Sequence, residues 1–195
     1  MTAETQPAGK GRWGASRLVR PLGVFLGLAL IALGVALAAR PAQFDNLRIR
    51  GTKRFQEQVV TALVILRNKA PEAYQIVTNN VGAIAQSKHS GMAAYRKPPT
   101  FELNDRTAYY SVTWCAGSIA HDSLHARFYF NYLKFHPGGS VVPNDAWMGE
   151  ASEKLCSAHQ LRVLRQIGAP AREIDHCISI QTNRYWELDY NKRNW

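Results

Sequence analysis

An uncharged apolar run close to the N-terminus constrains this chain more than any other feature. Residues 21–39 read PLGVFLGLALIALGVALAA, and as a helix they would rise about 28 Å, close to the hydrocarbon thickness of a bilayer. The run predicts a transmembrane signal anchor or a long signal peptide, because Ala36 and Ala38 also fit a small-residue cleavage site. Its length favours the anchor, which leaves residues 40–195 to form the folded domain.

The net charge of +10 is concentrated on either side of this run. The basic residues that flank it are Lys10, Arg12, Arg17, Arg20, Arg40, Arg48, Arg50, Lys53 and Arg54. This distribution favours contact with anionic lipid headgroups, and nucleic acid binding is not expected because no nucleic-acid-binding motif accompanies the charge. With the N-terminus in the cytoplasm, residues 1–20 would form a disordered basic tail. The protein would then be a single-pass inner-membrane protein with its domain on the periplasmic side.

The pentapeptide HDSLH at residues 121–125 is the strongest functional signal. Two histidines four residues apart on a helix present their imidazoles on one face, one turn apart, as the HExxH motif of zinc metallopeptidases does. His121 and His125 are therefore predicted metal ligands. Zn²⁺ is the expected ion, although such ligands also suit other divalent metals.

The residues around the motif predict an α+β fold. Residues 107–114, TAYYSVTW, are rich in aromatic and β-branched side chains and predict a strand that leads into a motif helix over residues 116–132. Prolines and glycines predict a loop over residues 136–143. A second long helix is predicted over residues 145–168, ending at Gly168.

The flanking segments predict further elements of a small sheet and its helices. A short strand should end near Gly51, and a helix should follow it up to Lys69. We expect a helix and then a strand near residues 81–85, and a loop with at most a short strand over residues 87–100. A last helix is predicted from residue 171 towards residue 190.

A third metal ligand would have to come from the second long helix. Glu150 and Glu153 lie three residues apart and so share a face, and the loop before them is long enough to fold their helix back against the first. A catalytic zinc normally has three protein ligands and a water. The residues alone leave Glu150 and Glu153 as alternatives.

HDSLH, the preceding CAGSIA and the downstream ASEKLCSAHQLRVLRQIGAP together resemble extracytoplasmic zinc metallopeptidases, in which a HExxH helix is followed by ExxC and a further glutamine. The matching residues are His121, His125, Glu153, Cys156 and Gln160. The resemblance covers residues 107–170. It implies a zincin-like, gluzincin-like fold with Glu153 as the third zinc ligand and Glu150 as the fallback. It also implies a membrane-anchored zinc hydrolase that acts on a peptide or protein substrate.

Asp122 stands where that family carries glutamate, and it is the candidate general base. Aspartate and glutamate differ by only about 0.4 in intrinsic pKa, so the difference lies in reach. One methylene fewer withdraws the carboxylate by about 1.5 Å, and an error near 1 Å can cost about a hundredfold in rate. The alternatives are a weak peptidase, a hydrolase with a shifted water, and a noncatalytic metal-binding module that interacts with other envelope components.

The remaining polar residues have structural interpretations. Among the three cysteines, a disulfide between Cys156 and Cys177 is compatible with an oxidising compartment, and a core position or a disulfide is favoured over a metal-ligand role for Cys156. Packing or loop positions are favoured for His136, His159, Tyr129 and Tyr132. A peptide substrate would pair with the edge of the strand predicted over residues 107–114.

Overall fold

The computed structural model describes residues 41–138 and 141–188. The basic tail and the membrane segment predicted for residues 1–39 lie outside these residues. Within them, no helix combines the length and the apolar character needed to cross a bilayer. The described residues have a mixed α+β fold with one five-stranded sheet and six α-helices, which confirms the predicted class.

Two helices separate the first two strands from the other three, and the remaining helices follow the last strand. The strands are β1 (Ala42–Phe44), β2 (Leu47–Arg50), β3 (Ala83–Ser87), β4 (Gly91–Ala93) and β5 (Thr100–Asn104). The helices are α1 (Lys53–Lys69), α2 (Pro71–Asn80), α3 (Asp105–Ala108), α4 (Val112–Phe135), α5 (Glu150–Ile167) and α6 (Ala171–Thr182). Single 3₁₀ turns occupy Asn144–Ala146 and Tyr185–Glu187.

The sheet has the strand order β1-β2-β3-β5-β4. β1 and β2 form an antiparallel hairpin, β2, β3 and β5 run parallel, and β4 lies antiparallel to β5 at one edge. In β2, Leu47 and Ile49 are fully buried, whereas Arg48 and Arg50 are exposed. This alternation shows that one side of the strand faces the core and the other faces solvent.

Helix α4 carries the HDSLH motif and packs against α1, α2 and α5. Its contact with α5 is close at Gly117, where an added Cβ would lie 2.8 Å from a methyl carbon of Leu164. Because no side chain intervenes there, the two helices approach closely. The first turns of α5 are thereby brought against the motif.

The strand predicted over residues 107–114 is wrong. Asn104 accepts a hydrogen bond from the backbone N–H of Thr107, and Ser111 accepts one from that of Trp114, each at 2.8 Å. These side chains cap the first turns of α3 and α4, so local capping outweighs the β propensity of the aromatic residues. The strand that precedes the motif helix is β5.

Smaller corrections apply to the later helices. Helix α5 begins at Glu150 and not at residue 145, because a 3₁₀ turn and Gly149 precede it. It ends as predicted at Gly168, whose φ of 76° is left-handed and suits glycine. Helix α6 ends at Thr182, short of residue 190.

The predicted disulfide is not formed. Cys115, Cys156 and Cys177 are all unpaired and buried. The side chains of Cys156 and Cys177 have different surroundings, since Cys156 bonds to His125 and Cys177 lies beside Gln181. Because its thiol is free, Cys156 is available to the site described next.

Candidate metal centre

The two motif histidines lie together in the interior of the domain. His121 and His125 are 5% and 4% exposed, and their Nε2 atoms are 3.1 Å apart. Both project from the same face of α4, as the four-residue spacing predicts. Two buried imidazole nitrogens therefore converge on one point.

Glu153 completes a three-residue cluster at this point. It lies in the first turn of α5, and its Oε2 atom is 3.3 Å from Nε2 of His121 and 3.4 Å from Nε2 of His125. Its side chain is as buried as the imidazoles are. The close contact between α4 and α5 thus brings a carboxylate to the histidine pair.

Cys156 is a fourth donor at the same place. It is fully buried one turn after Glu153, and its thiol hydrogen-bonds with His125. The sulfur and one nitrogen from each of His121 and His125 lie within 4.8 Å of one another, an arrangement that could hold a metal ion.

The spacing of these atoms fits a divalent transition metal. Nitrogen and oxygen ligands at about 2.0–2.1 Å from a tetrahedral zinc lie about 3.3 Å from one another, and the nitrogen and oxygen atoms here are 3.1, 3.3 and 3.4 Å apart. Imidazole, carboxylate and thiolate are ligands that zinc accepts, and other divalent transition metals accept them as well. The residues present therefore fit the metal that the motif predicts.

The second nitrogen of each imidazole has a different environment. Nδ1 of His125 lies 2.5 Å from the backbone carbonyl oxygen of Trp147, and because a carbonyl can only accept, Nδ1 carries the proton. In the neutral ring, Nε2 then keeps its lone pair for a metal. Nδ1 of His121 is buried and makes no hydrogen bond in the described part of the chain.

The ionisable groups of the cluster perturb one another strongly. Burial opposes the ionisation of Glu153, but its hydrogen bonds to His121 and His125 outweigh this and hold its pKa well below the usual range. Burial likewise opposes protonation of His125, yet its bonds to Cys156 and Glu153 raise its pKa well above the usual value. The cluster therefore favours a positive charge beside the carboxylate, which a divalent cation can supply.

Asp122 lies beside the cluster. Burial raises the pKa of its carboxyl to about 6, although the nearby imidazoles and a hydrogen bond from the backbone N–H of Met92 act to lower it. A carboxylate with a pKa near neutrality can both accept and release a proton. Since Met92 is the central residue of the edge strand β4, Asp122 connects the motif helix to the margin of the sheet.

A pocket with a cavity volume of about 30 Å³ lies against the same residues. His121 and Asp122 form part of its wall, and the apolar side chains of Phe101, Trp114 and Ile180 form much of the rest. Ser157 also lines it, and the hydroxyl of this buried serine makes no hydrogen bond within the described residues. A pocket of this size could accept only a small apolar group next to the metal centre.

Glu150, the fallback ligand, does not join the cluster. Its exposed carboxylate pairs with Lys154 at 2.6 Å and with Arg184 at 2.9 Å. Because α5 begins at Glu150, this residue lies at the end of the helix and turns to solvent, while Glu153 turns inward.

The polar residues for which the sequence favours packing or loop positions make structural contacts. His159 is buried and bonds to Arg162, and His136 is an exposed residue at the end of α4 that stacks on Tyr132. Tyr129 packs edge-on against Trp147. These contacts match the packing interpretation of each residue.

Three groups near the metal centre are not predicted from the sequence. The sequence favours a core or disulfide position for Cys156, although its place one turn after Glu153 indicates that it faces the histidines. The carbonyl of Trp147 and the N–H of Met92 belong to the backbone, and no residue pattern marks them.

No protein-family model, no curated protein and no solved structure matches the chain. The function therefore has to be inferred from the residues of the site and their geometry.

Proposed function

We propose that the protein is a metal-dependent hydrolase of peptide bonds with a zincin-like domain. The observation that carries this proposal is the convergence of His121, His125 and Glu153 in one buried cluster, with Asp122 in the wall of the adjoining pocket. Two imidazoles and one glutamate are the protein ligands of zinc in thermolysin-type hydrolases. Zinc is therefore the ion that we propose for the cluster.

The proposed chemistry assigns a separate role to each residue. A zinc ion held by the cluster would polarise the carbonyl of a peptide bond and lower the pKa of a water towards 7. Asp122 would take the proton of that water and deliver it to the leaving amine. Trp147 would keep the ring of His125 oriented through its carbonyl oxygen.

An extended peptide substrate would lie along β4. This strand forms an edge of the sheet, and its central residue, Met92, is hydrogen-bonded to Asp122. Because the N–H of Met92 already bonds to Asp122, main-chain pairing would use the other backbone groups of this edge, and the adjoining pocket would accept a small apolar group. β4 thus takes the place of the strand predicted over residues 107–114.

The proposed setting is the periplasmic side of the inner membrane. Residues 21–39 would anchor the chain, and its substrates would be peptides or proteins of the envelope. The second candidate function is a noncatalytic metal-binding module in the same place. The hydrogen bond of Asp122 to Met92 favours this alternative, because a short carboxylate held by the sheet has less freedom to serve as a base.

Metal analysis and peptidase assays on the full chain in detergent test the proposal. We expect one zinc per chain, and slow cleavage of an unstructured protein such as casein. Asp122→Asn should abolish cleavage, whereas Asp122→Glu should increase it about tenfold or more because it restores the missing reach. Both variants should retain zinc, since Asp122 is not a proposed ligand.

Two results would decide against this function. Absence of zinc after reconstitution would rule out the proposed metal site. Full zinc occupancy without cleavage by the parent protein, Asp122→Glu or Cys156→Ala would favour the noncatalytic module.

A further inference from the structure

We infer that Cys156 is the fourth ligand of the metal centre and that its thiolate occupies the coordination position a hydrolase would leave for water. The centre is then closed as long as this thiolate is bound. This inference concerns regulation of the site. It rests on the proposed function because a metal must be bound there. It adds a ligand that the HxxxH motif and the third-ligand glutamate do not include.

The position of Cys156 on α5 supports this role. It follows Glu153 by three residues, so both side chains leave the helix on the face that meets α4. The Cys156 sulfur lies within 4.8 Å of a ring nitrogen of each histidine. In a tetrahedral zinc site, sulfur and nitrogen ligands are about 3.6 Å apart, so only a small movement separates this arrangement from direct coordination.

Burial explains why the thiol would compete with water. Cys156 is fully buried, and the two histidines and Glu153 are about 95% buried. A metal ion among them would therefore find a fourth protein donor closer than bulk solvent. On binding, the thiol would lose its proton to solvent as the metal–sulfur bond forms, and no other reactant is required.

The number of protein ligands on the metal decides whether the centre can be catalytic. Four protein ligands are typical of a structural zinc site, and three ligands with a water are typical of a catalytic one. With Cys156 bound, the centre would stabilise the domain but would lack the position needed for hydrolysis. Loss of the thiolate from the metal would open that position, so the slow cleavage expected of the parent protein would come from the molecules in which the thiolate has left the metal.

The other two cysteines provide matched controls. Cys177 lies 4.0 Å from the carbonyl oxygen of Ser157 and 3.6 Å from the amide nitrogen of Gln181, and Cys115 belongs to the apolar core. Neither belongs to the group of donors that could hold a metal. Replacement of Cys177 therefore changes a buried thiol without changing the proposed ligands.

X-ray absorption of the zinc-loaded full chain and optical spectra of the cobalt-substituted protein test this inference. We expect one sulfur at about 2.3 Å from zinc, and a thiolate-to-cobalt charge-transfer band in the near ultraviolet. Both signals should disappear in Cys156→Ser and Cys156→Ala and persist in Cys177→Ser. Peptidase activity should rise about tenfold or more in the zinc-loaded Cys156→Ala protein, because water gains access to the metal.

The wild-type spectra decide the result even if the Cys156 variants do not fold. Zinc bound only by nitrogen and oxygen would overturn the fourth-ligand inference and leave the proposed hydrolase intact. Sulfur-ligated zinc with no activity in any variant would support the inference and reject the hydrolase. Failure to bind any metal would overturn both.

Discussion

His159 illustrates how strongly burial controls a single side chain in this domain. It is 6% exposed, and its Nδ1 atom accepts a hydrogen bond from Arg162 at 2.8 Å. Burial, assisted by the positive charge of Arg162, lowers the pKa of His159 to about 4. The folded protein therefore keeps this ring neutral at pH values where an unfolded chain would protonate it.

This difference predicts a loss of stability in mild acid. Between pH 6.5 and pH 4 the unfolded chain binds a proton at His159 and the folded chain does not, so the free energy of unfolding should fall as the pH is lowered. The contribution of His159 should be about 3 kcal/mol at pH 4, relative to pH 7. Denaturant unfolding of the wild type and His159→Gln, both in EDTA, measures it as the difference between their pH profiles.

His136→Gln is the control, because it changes an exposed histidine. Its pH profile should follow that of the wild type. Parallel profiles for His159→Gln and the wild type would show that the folded protein protonates His159 as readily as the unfolded chain does.

Sequence spacing correctly predicted the direction of side chains that project from the interior of a helix. The four-residue interval of His121 and His125 was sufficient to bring their rings together, and the inward position of Glu153 followed from the family resemblance. The interval between Glu150 and Glu153 was misleading, because α5 begins at Glu150 and frees that residue to pair with Lys154. A helix terminus cannot be located to within one residue from composition, yet it decided this point.

The contact between α4 and α5 depends on a glycine. A Cβ at residue 117 would lie 2.8 Å and 3.1 Å from two side-chain carbons of Leu164 and 3.4 Å from one of Gln160. Leu164 is fully buried, so it has little space into which to move. The two helices that carry the proposed ligands are therefore separated by the width of a backbone and one leucine.

Gly117→Ala should consequently destabilise the domain by about 1–3 kcal/mol, even though alanine is the better helix former. Chemical denaturation of the two proteins gives the value. The same substitution should weaken zinc binding, because it pushes α5, and with it Glu153, away from His121 and His125.

Asn131→Ala provides the comparison, since Asn131 is an exposed residue of the same helix. It should change the free energy of unfolding by less than about 0.5 kcal/mol. A Gly117→Ala protein as stable as the wild type would mean that the helices can separate without cost.

Element prediction succeeded where the sequence carries a stop signal and failed where aromatic residues compete with caps. Gly168 and Pro71 marked the ends and beginnings of helices correctly, because their backbone requirements are local. Residues 107–114 favoured a strand by composition, but Asn104 and Ser111 each supply an oxygen to a helical N–H. The capping bonds and the packing of α4 in the core outweighed a weak β preference.

For the molecule as a whole, the metal centre should act as a clamp between α4 and α5. A ligand that binds only the folded state adds stability of about 2.7 kcal/mol at a free concentration one hundred times its dissociation constant. Zinc should therefore raise the melting temperature of the wild type and of Glu150→Gln, and EDTA should reverse the change. Glu153→Gln should lose most of this increase, because it removes the proposed carboxylate ligand.

Glu150→Gln and Glu153→Gln form a matched pair on one helix, and calorimetry in zinc and in EDTA compares them directly. Equal melting temperatures of the wild type in zinc and in EDTA would argue against a stabilising metal. An equal zinc effect in both variants would remove Glu153 from the ligand set.

The topology of the centre has a further consequence for folding kinetics. The side chains of His121, His125, Glu153 and Cys156 come from consecutive helices, and the outermost pair, His121 and Cys156, are only 35 residues apart along the chain. Closing a loop of this length costs little more than closing one half as long. The donor set is therefore complete once the α4–α5 hairpin forms, whereas the sheet must join strands from Ala42 to Asn104. Metal capture can precede sheet assembly. Zinc present from the start of refolding should therefore increase the refolding rate, whereas zinc added afterwards should only stabilise the folded product.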